Sequence, residues 1–266
     1  MIIEKKRRKK RPAWQKIVVA AVSVAAWIGV WQLFSMKVGQ ELLLPSPVSV
    51  AKRLWELLGE PQFAAQVFGS LGRILEGFLL ALAAGSVLSV VMFLVPLFGG
   101  FMKPLLTVVK ATPVPSFIIL ALVWMESDRM PVFIAFLMVL PVVCANITEG
   151  LSNVDVRLEQ MARVYRVKGI RLIGTVWLPS VYPYAAAAAR TGLGLAWKAG
   201  VAAEVIGRTK DSIGLMLYES KLYIETTDLF AYTAVVVLLS CALELILRGA
   251  ERLASKKRGE SEDDKA

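Results

Sequence analysis

Histidine is absent from all 266 residues, which removes the commonest general base near neutral pH and the commonest metal ligand. Cysteine is nearly absent, with two residues in the chain. Cys144 and Cys241 both fall inside apolar runs without metal-ligand spacing, so they read as small buried hydrophobes and not as a disulfide or a metal site. No G-x-x-x-x-G-K-[ST] phosphate loop occurs, so any ATP must be hydrolysed by another chain. No convergent carboxylates and no nucleophile motif replace the missing histidines, which argues against a membrane enzyme. Charge is scarce as well: 20% of residues are charged while 56% are hydrophobic, too apolar for an ordinary soluble surface.

What the sequence has is long apolar runs, and the bilayer is its solvent. The net charge of +10 does not point to nucleic acid, because the basic residues stand at the ends of apolar runs and do not alternate with exposed aromatics. A helical crossing needs about 20 apolar residues, and spans are expected at about Ile17–Phe34, Ile74–Leu94, Pro104–Met125, Pro131–Ile147, Tyr184–Ile206 and Leu229–Leu247. The fold class is therefore all-α and polytopic, with about six transmembrane helices. The first run follows the block Lys5-Lys6-Arg7-Arg8-Lys9-Lys10-Arg11, as a signal peptide would. It is too long for a secretory h-region and carries Trp27, Trp31 and Phe34 to its far end, so it reads as a retained span.

The chain divides into a basic tail (1–16), the first span (17–36), a connection (37–73), a transmembrane core (74–249) and a charged tail (250–266). Within the connection, Leu44-Pro45-Ser46-Pro47 breaks the chain. Val48, Ala51, Leu54, Trp55 and Leu58 then recur at helical spacing, as in an amphipathic helix on the membrane surface or one packed outside it. With the N-terminus inside, twenty Lys and Arg fall on inner segments and eight on outer ones. Cytoplasmic loops retain positive charge, so both ends are expected in the cytoplasm.

The longest inner connection, about 150–180, has a helical character. Val154, Leu158, Met161 and Tyr165 form one apolar face while Arg157, Arg163 and Arg166 occupy others. Ile170, Ile173 and Trp177 form a second stripe after Lys168-Gly169, where glycine permits a turn. The segment reads as helix, turn, helix along the membrane. Two roles fit: a basic surface helix held by anionic lipid, or a docking helix whose apolar knobs enter a groove on a soluble partner.

This loop resembles that of permease subunits of binding-protein-dependent ATP-binding-cassette importers, whose pattern is E-A-A, three residues, G, nine residues, I-x-L-P. Ala162 takes the second alanine and Val176-Trp177-Leu178-Pro179 the closing tetrad. Gln160 stands in place of the glutamate, Met161 of the first alanine and Arg166 of the glycine, with Glu159 next to the missing acid. Further stretches resemble the nitrate, sulfonate, taurine and bicarbonate branch. They are Leu44-Pro45-Ser46-Pro47-Val48, Ser70-Leu71-Gly72-Arg73 with Gly77-Phe78, Thr112-Pro113-Val114-Pro115, Asn146 with Glu149-Gly150, and Ala196-Trp197 with Ala203-Glu204. One departure is Trp124-Met125-Glu126-Ser127-Asp128, where the family prefers a glycine-containing turn.

The resemblance implies a type I importer permease in the inner membrane that works as a homodimer and binds no cofactor itself. ATP–Mg would be held by a partner ATPase, and an external binding protein would deliver substrate. The docking residues it implies are Leu158, Glu159, Gln160, Met161, Ala162, Arg163, Tyr165, Arg166, Leu178 and Pro179. A secondary transporter or channel acting without an ATPase, and a permease for a pyrimidine-type vitamin precursor, are the competing readings.

Charged groups at bilayer depth cost about 2.5–3.5 kcal/mol each, which makes them candidates for the pathway. Lys110 lies within snorkelling reach of the inner boundary. Arg190 and Glu204 share a helix face, about 21 Å apart along the axis. Lys198 lies near the middle of the fifth span, where an ammonium would attract an anion passing through a dimer cavity with Trp197 in its wall. It would otherwise pair with an acid on another span or on the second protomer. Glu204, near the outer end, reads as a gate or a structural ion-pair partner.

Overall fold

The computed structural model describes residues 13–263. The basic block Lys5–Arg11 lies outside the described residues, as do the last three residues of the C-terminal tail. The chain forms α1 (Ala13–Val38), α2 (Pro47–Leu57), α3 (Pro61–Leu94), α4 (Pro96–Ala111), α5 (Val114–Ala121), α6 (Met130–Ser152), α7 (Val156–Val164), α8 (Ile170–Leu172), α9 (Leu178–Gly207), α10 (Ile213–Leu222) and α11 (Thr226–Asp263), with a π-helical turn at Ile173–Trp177. No strand occurs among the described residues.

Among the described residues four helices are long and apolar enough to cross a membrane: α1, α3, α6 and α11. The pair α4 and α5 makes a fifth crossing if taken together, bent by 99°. The span expected at Pro104–Met125 is therefore a broken one. Pro113 disfavours the helical region for the residue before it, and Thr112 is extended, with φ −78° and ψ 130°. The expected fifth span, Tyr184–Ile206, falls in α9, which has the length, 30 residues, or about 45 Å. It lacks the apolarity, because it is built largely from alanine and glycine and carries Arg190, Lys198 and Glu204. Its inward face packs on protein, so apolarity toward lipid is not required of that face.

The third helix begins thirteen residues before the expected Ile74, at Pro61 in its first turn, so residues 61–73 belong to a helix and not to a connection. That segment carries Gln66, Ser70 and Arg73 at i, i+4 and i+7, one face of a helix. Each finds a partner: Tyr232 Oη donates to Gln66 Oε1 at 3.2 Å, Ser70 Oγ to Glu204 at 2.7 Å, and Arg73 to the Asp211 carbonyl at 2.7 Å.

The core is a layered contact of three helices. α3 and α6 run parallel, with Gly77 against Val132 and Gly85 against Val143, and α9 runs antiparallel to both, with Gly192 against Val139 and Gly150 beside Tyr184. A Cβ on Gly77 would stand 2.3 Å from the Val132 carbonyl oxygen, so only glycine allows this approach. Ile74, Phe78, Val139, Val143, Leu193 and Trp197 fill the space between. α11 lies along α9, where Trp197 Nε1 donates to the Val236 carbonyl at 3.0 Å.

At one end of the bundle, α2 is amphipathic as expected, capped by Ser46, whose side chain accepts from Ser49 N. Arg53 on α2 grips Asp228 on α11 through two bonds of 2.7 Å and reaches Glu60 at 2.9 Å. Trp31 of α1 stacks on Phe230 with centroids 5.8 Å apart, which brings the end of α1 to the same place.

Candidate functional site

At the opposite end of the bundle, α6 continues to Ser152, and the connection to α9 follows. Asp155 caps α7, its carboxylate accepting from Arg157 N at 2.8 Å. The helix closes with paired bonds, Val167 N to the Ala162 carbonyl at 2.8 Å and Arg166 N to the Arg163 carbonyl at 3.0 Å, the Schellman arrangement. Its left-handed position is Arg166, with φ 56°. Glycine is favoured there because it has no Cβ to crowd the carbonyl, which gives a physical reason for the family glycine that Arg166 replaces.

The second expected helix is not a separate one. Ile170 begins a helical run that continues through the π-helical turn into α9 without leaving helical backbone. The loop is thus one short capped helix joined by a turn to a rigid extension of α9, and Trp177 fixes that extension edge-on against Phe93, centroids 5.6 Å apart. Leu158, Gln160, Met161, Arg163, Tyr165, Leu178 and Pro179 are exposed, Glu159 is half-buried, and Ala162 is turned inward. Met161 and Tyr165 are 56% and 75% exposed, an apolar ridge without a neighbour in this chain.

Along α9 the four pathway candidates part company. Trp197 is buried between α9 and α11, so within the protomer its ring belongs to the core and not to a cavity wall. Arg190 is exposed and its Nε lies 3.3 Å from Glu251 on α11. Lys198 is exposed and makes no ion pair among the described residues. Its face of α9 also presents Thr191 and Gly194, the latter with open space where a Cβ would be. Flanking it, Leu195 and Ala202 pack against the same apolar cluster as Val114 and Phe117 of α5.

Glu204 is fully buried. Its Oε2 accepts from Ser70 Oγ at 2.7 Å and from Gly214 N at 3.3 Å, and its Oε1 lies 3.6 Å from Arg73 Nε. Ser70 Oγ in turn accepts from Ile213 N at 2.9 Å, and Arg73 donates to the carbonyls of Lys210 and Asp211. The carboxylate therefore ties α9, α3 and the first turn of α10 together. α10 was not anticipated; Ser212 caps it and accepts from Leu215 N. Gly214 is required, since a Cβ there would overlap Glu204 Cβ at 2.2 Å. Ser70, Arg73 and Gly214 were not among the expected site residues, although the polar stripe that includes Ser70 and Arg73 was a signal in an otherwise apolar run. No group of three or more metal-ligating side chains occurs among the described residues.

A bundle of apolar helices around a small-residue core, with one ionisable helix and one capped loop displaying an apolar ridge, defines a multi-pass membrane protein of the permease type. The chain belongs to the family described as the binding-protein-dependent transport system inner membrane component, which residues 63–259 match. It is similar to a "Probable ABC transporter permease protein" of Brucella melitensis, 28% identical over 87% of this chain and 93% of the relative. It also resembles the nitrate import permease protein of Synechocystis, 28% identical over 88% of this chain and 90% of that one. The taurine transport system permease protein of Escherichia coli is 24% identical over 98% of both chains. The permease subunit is not itself an enzyme.

Proposed function

We infer that this chain is the transmembrane subunit of an ATP-driven importer and lines the path of a small anion of the nitrate, sulfonate, taurine or bicarbonate class. The relatives named for nitrate and taurine carry the substrate class. An external binding protein delivers the anion, a second copy of the chain completes the path, and a separate ATPase hydrolyses ATP–Mg, so this chain needs no nucleotide site of its own. Both termini and the α7 loop face the cytoplasm, as the surplus of Arg and Lys on those segments favours.

The observation that carries this reading is the apolar ridge of Met161 and Tyr165 on a short helix capped at both ends, joined by a turn to α9. ATP binding closes the motor, the docked helix follows as a rigid body, and α9 transmits the movement to the bundle. Only a difference in affinity of the two states for ATP and substrate can drive the cycle. At the path itself, the unpaired Lys198 attracts the anion, and the Thr191–Gly194 face beside it leaves room for it to pass.

The test is reconstitution into vesicles. Uptake of nitrate or taurine that requires both the ATPase and the binding protein supports the proposal. Uptake driven by an ion gradient with neither present would establish a secondary transporter instead.

A further inference from the structure

Lys103 and Lys110 on α4 are seven residues apart, two helical turns, so they share one face with Thr107 between them. That face opens on a cavity of about 640 Å³ against the C-terminal half of α6, where Cys144, Thr148 and Glu149 line the other side. Neither lysine makes an ion pair among the described residues. The Thr148 hydroxyl is buried and has no hydrogen-bond partner among the described residues. A buried hydroxyl is ordinarily satisfied; this one is sealed behind the wall, and the groups that the cavity presents to solvent are the two ammonium groups.

We propose that this cavity is a second anion station, in which Lys103 and Lys110 hold a monovalent oxyanion or sulfonate group. The two ammonium groups outnumber the Glu149 carboxylate, so the cavity is net positive; a monovalent anion gives up its hydration there at less cost than a divalent one, because that cost grows with the square of the charge. The station is distinct from Lys198, yet on the same side of the bundle, since Val109 of α4 and Leu195 of α9 join one apolar cluster. An anion leaving Lys198 would thus meet a second cationic stop before release, and conduction requires several sites, each weak enough to leave. The place of the station in transport rests on the importer reading; its affinity for anions does not.

The experiment uses the full chain in phosphatidylcholine vesicles, with neither ATPase nor binding protein. Ala145, exposed on the cavity wall, is changed to cysteine in a C144A/C241A background, and its rate of modification is measured with anionic, cationic and neutral methanethiosulfonates. The sulfonate reagent is expected to react about tenfold faster than the trimethylammonium one, as a focused positive field raises local anion concentration. Ethanesulfonate should slow the reaction and sulfate should slow it less. The K103Q/K110Q variant should lose both the preference and the protection while keeping the neutral rate, which shows that the cavity persists. Equal rates for the two charged reagents, or no protection by ethanesulfonate, overturn the proposal. Protection that appears only when phosphatidylglycerol is added overturns it in favour of a lipid headgroup. If charge selectivity holds but ATP-driven uptake fails, the importer reading falls and the anion site stands.

Discussion

Arg73 Nε on α3 lies 3.6 Å from Oε1 of the fully buried Glu204 on α9. Ser70 and Gly214 donate to the other oxygen, so one carboxylate joins three helices at the end of the bundle away from the α7 loop. Removing one partner of a buried pair leaves the other uncompensated. Glu204→Ala is therefore expected to destabilise the fold by about 3–5 kcal/mol. Glu204→Gln keeps an acceptor for Ser70 and should lose only about 1–2 kcal/mol. Thermal unfolding of the detergent-solubilised chain measures both. Equal stability of the Ala variant and the parent would remove Glu204 from its fastening role and return it to the list of pathway groups.

Close helix packing makes a second prediction, with its control in the same helix. Gly77→Ala would push a methyl into the Val132 carbonyl, whereas Gly72 has open space where its Cβ would be. The first should destabilise by about 1–3 kcal/mol through overpacking. The second should be neutral, or stabilise by up to about 1 kcal/mol from helix propensity. Matched melting temperatures for the two variants would show that α3 and α6 do not approach as closely as described.

The sequence made the order of the apolar segments legible, because long apolar runs are at home in a bilayer, although it expected six spans where four helices, or five with the α4–α5 pair, have the length and apolarity of one among the described residues. It also showed the α7 ridge, since Leu158, Met161 and Tyr165 repeat at helical spacing. Two features escaped for physical reasons. Gln66, Ser70 and Arg73 lowered the apolarity of residues 61–73, and their partners on α9, α11 and the α9–α10 link are far away in the chain. The elbow between α4 and α5 was written in Thr112-Pro113-Val114-Pro115, but proline inside an apolar stretch marks a kink or a break alike. The fastening role of Glu204 was visible only as one of two open readings, because burial and the Ser70 contact are properties of the folded bundle.

The left-handed Arg166 supplies a third prediction. Placing a residue other than glycine at such a position costs about 1–2 kcal/mol, of which glycine's greater freedom in the unfolded chain takes back about 0.5–1 kcal/mol. Arg166→Gly should therefore tighten the end of α7 by about 0.5–1 kcal/mol on the same balance. Amide hydrogen exchange at Arg166 and Val167, which donate the two closing bonds, should slow. Faster exchange would mean that the arginine side chain contributes more to the turn than its backbone strain removes.

Docking is tested at the exposed ridge. A carboxylate forced into an apolar groove loses its hydration without a partner, so Met161→Glu or Tyr165→Glu should weaken binding of the ATPase by at least about 2 kcal/mol, roughly 30-fold. The variants should still insert into the membrane, because both side chains point away from this chain. Gln160→Glu, which restores the acid that the family pattern carries, should keep the ATPase bound. Co-purification of chain and ATPase reads all three, and undiminished recovery with Met161→Glu would move the contact elsewhere.

Lys198 decides whether α9 senses the charge of what passes. At about 4 Å and an effective dielectric near 20, an ammonium and an anion attract by about 4 kcal/mol, before desolvation takes its share. Lys198→Gln should therefore reduce the apparent affinity for nitrate in ATP-driven uptake by at least about tenfold, or 1.4 kcal/mol, and Lys198→Arg should recover most of it. Stability should be unchanged, since the side chain is exposed and unpaired in the protomer. A drop in melting temperature with unaltered uptake would instead reveal an ion pair with the second protomer. In that case the cation would hold the dimer together and leave selection of the anion to the external binding protein.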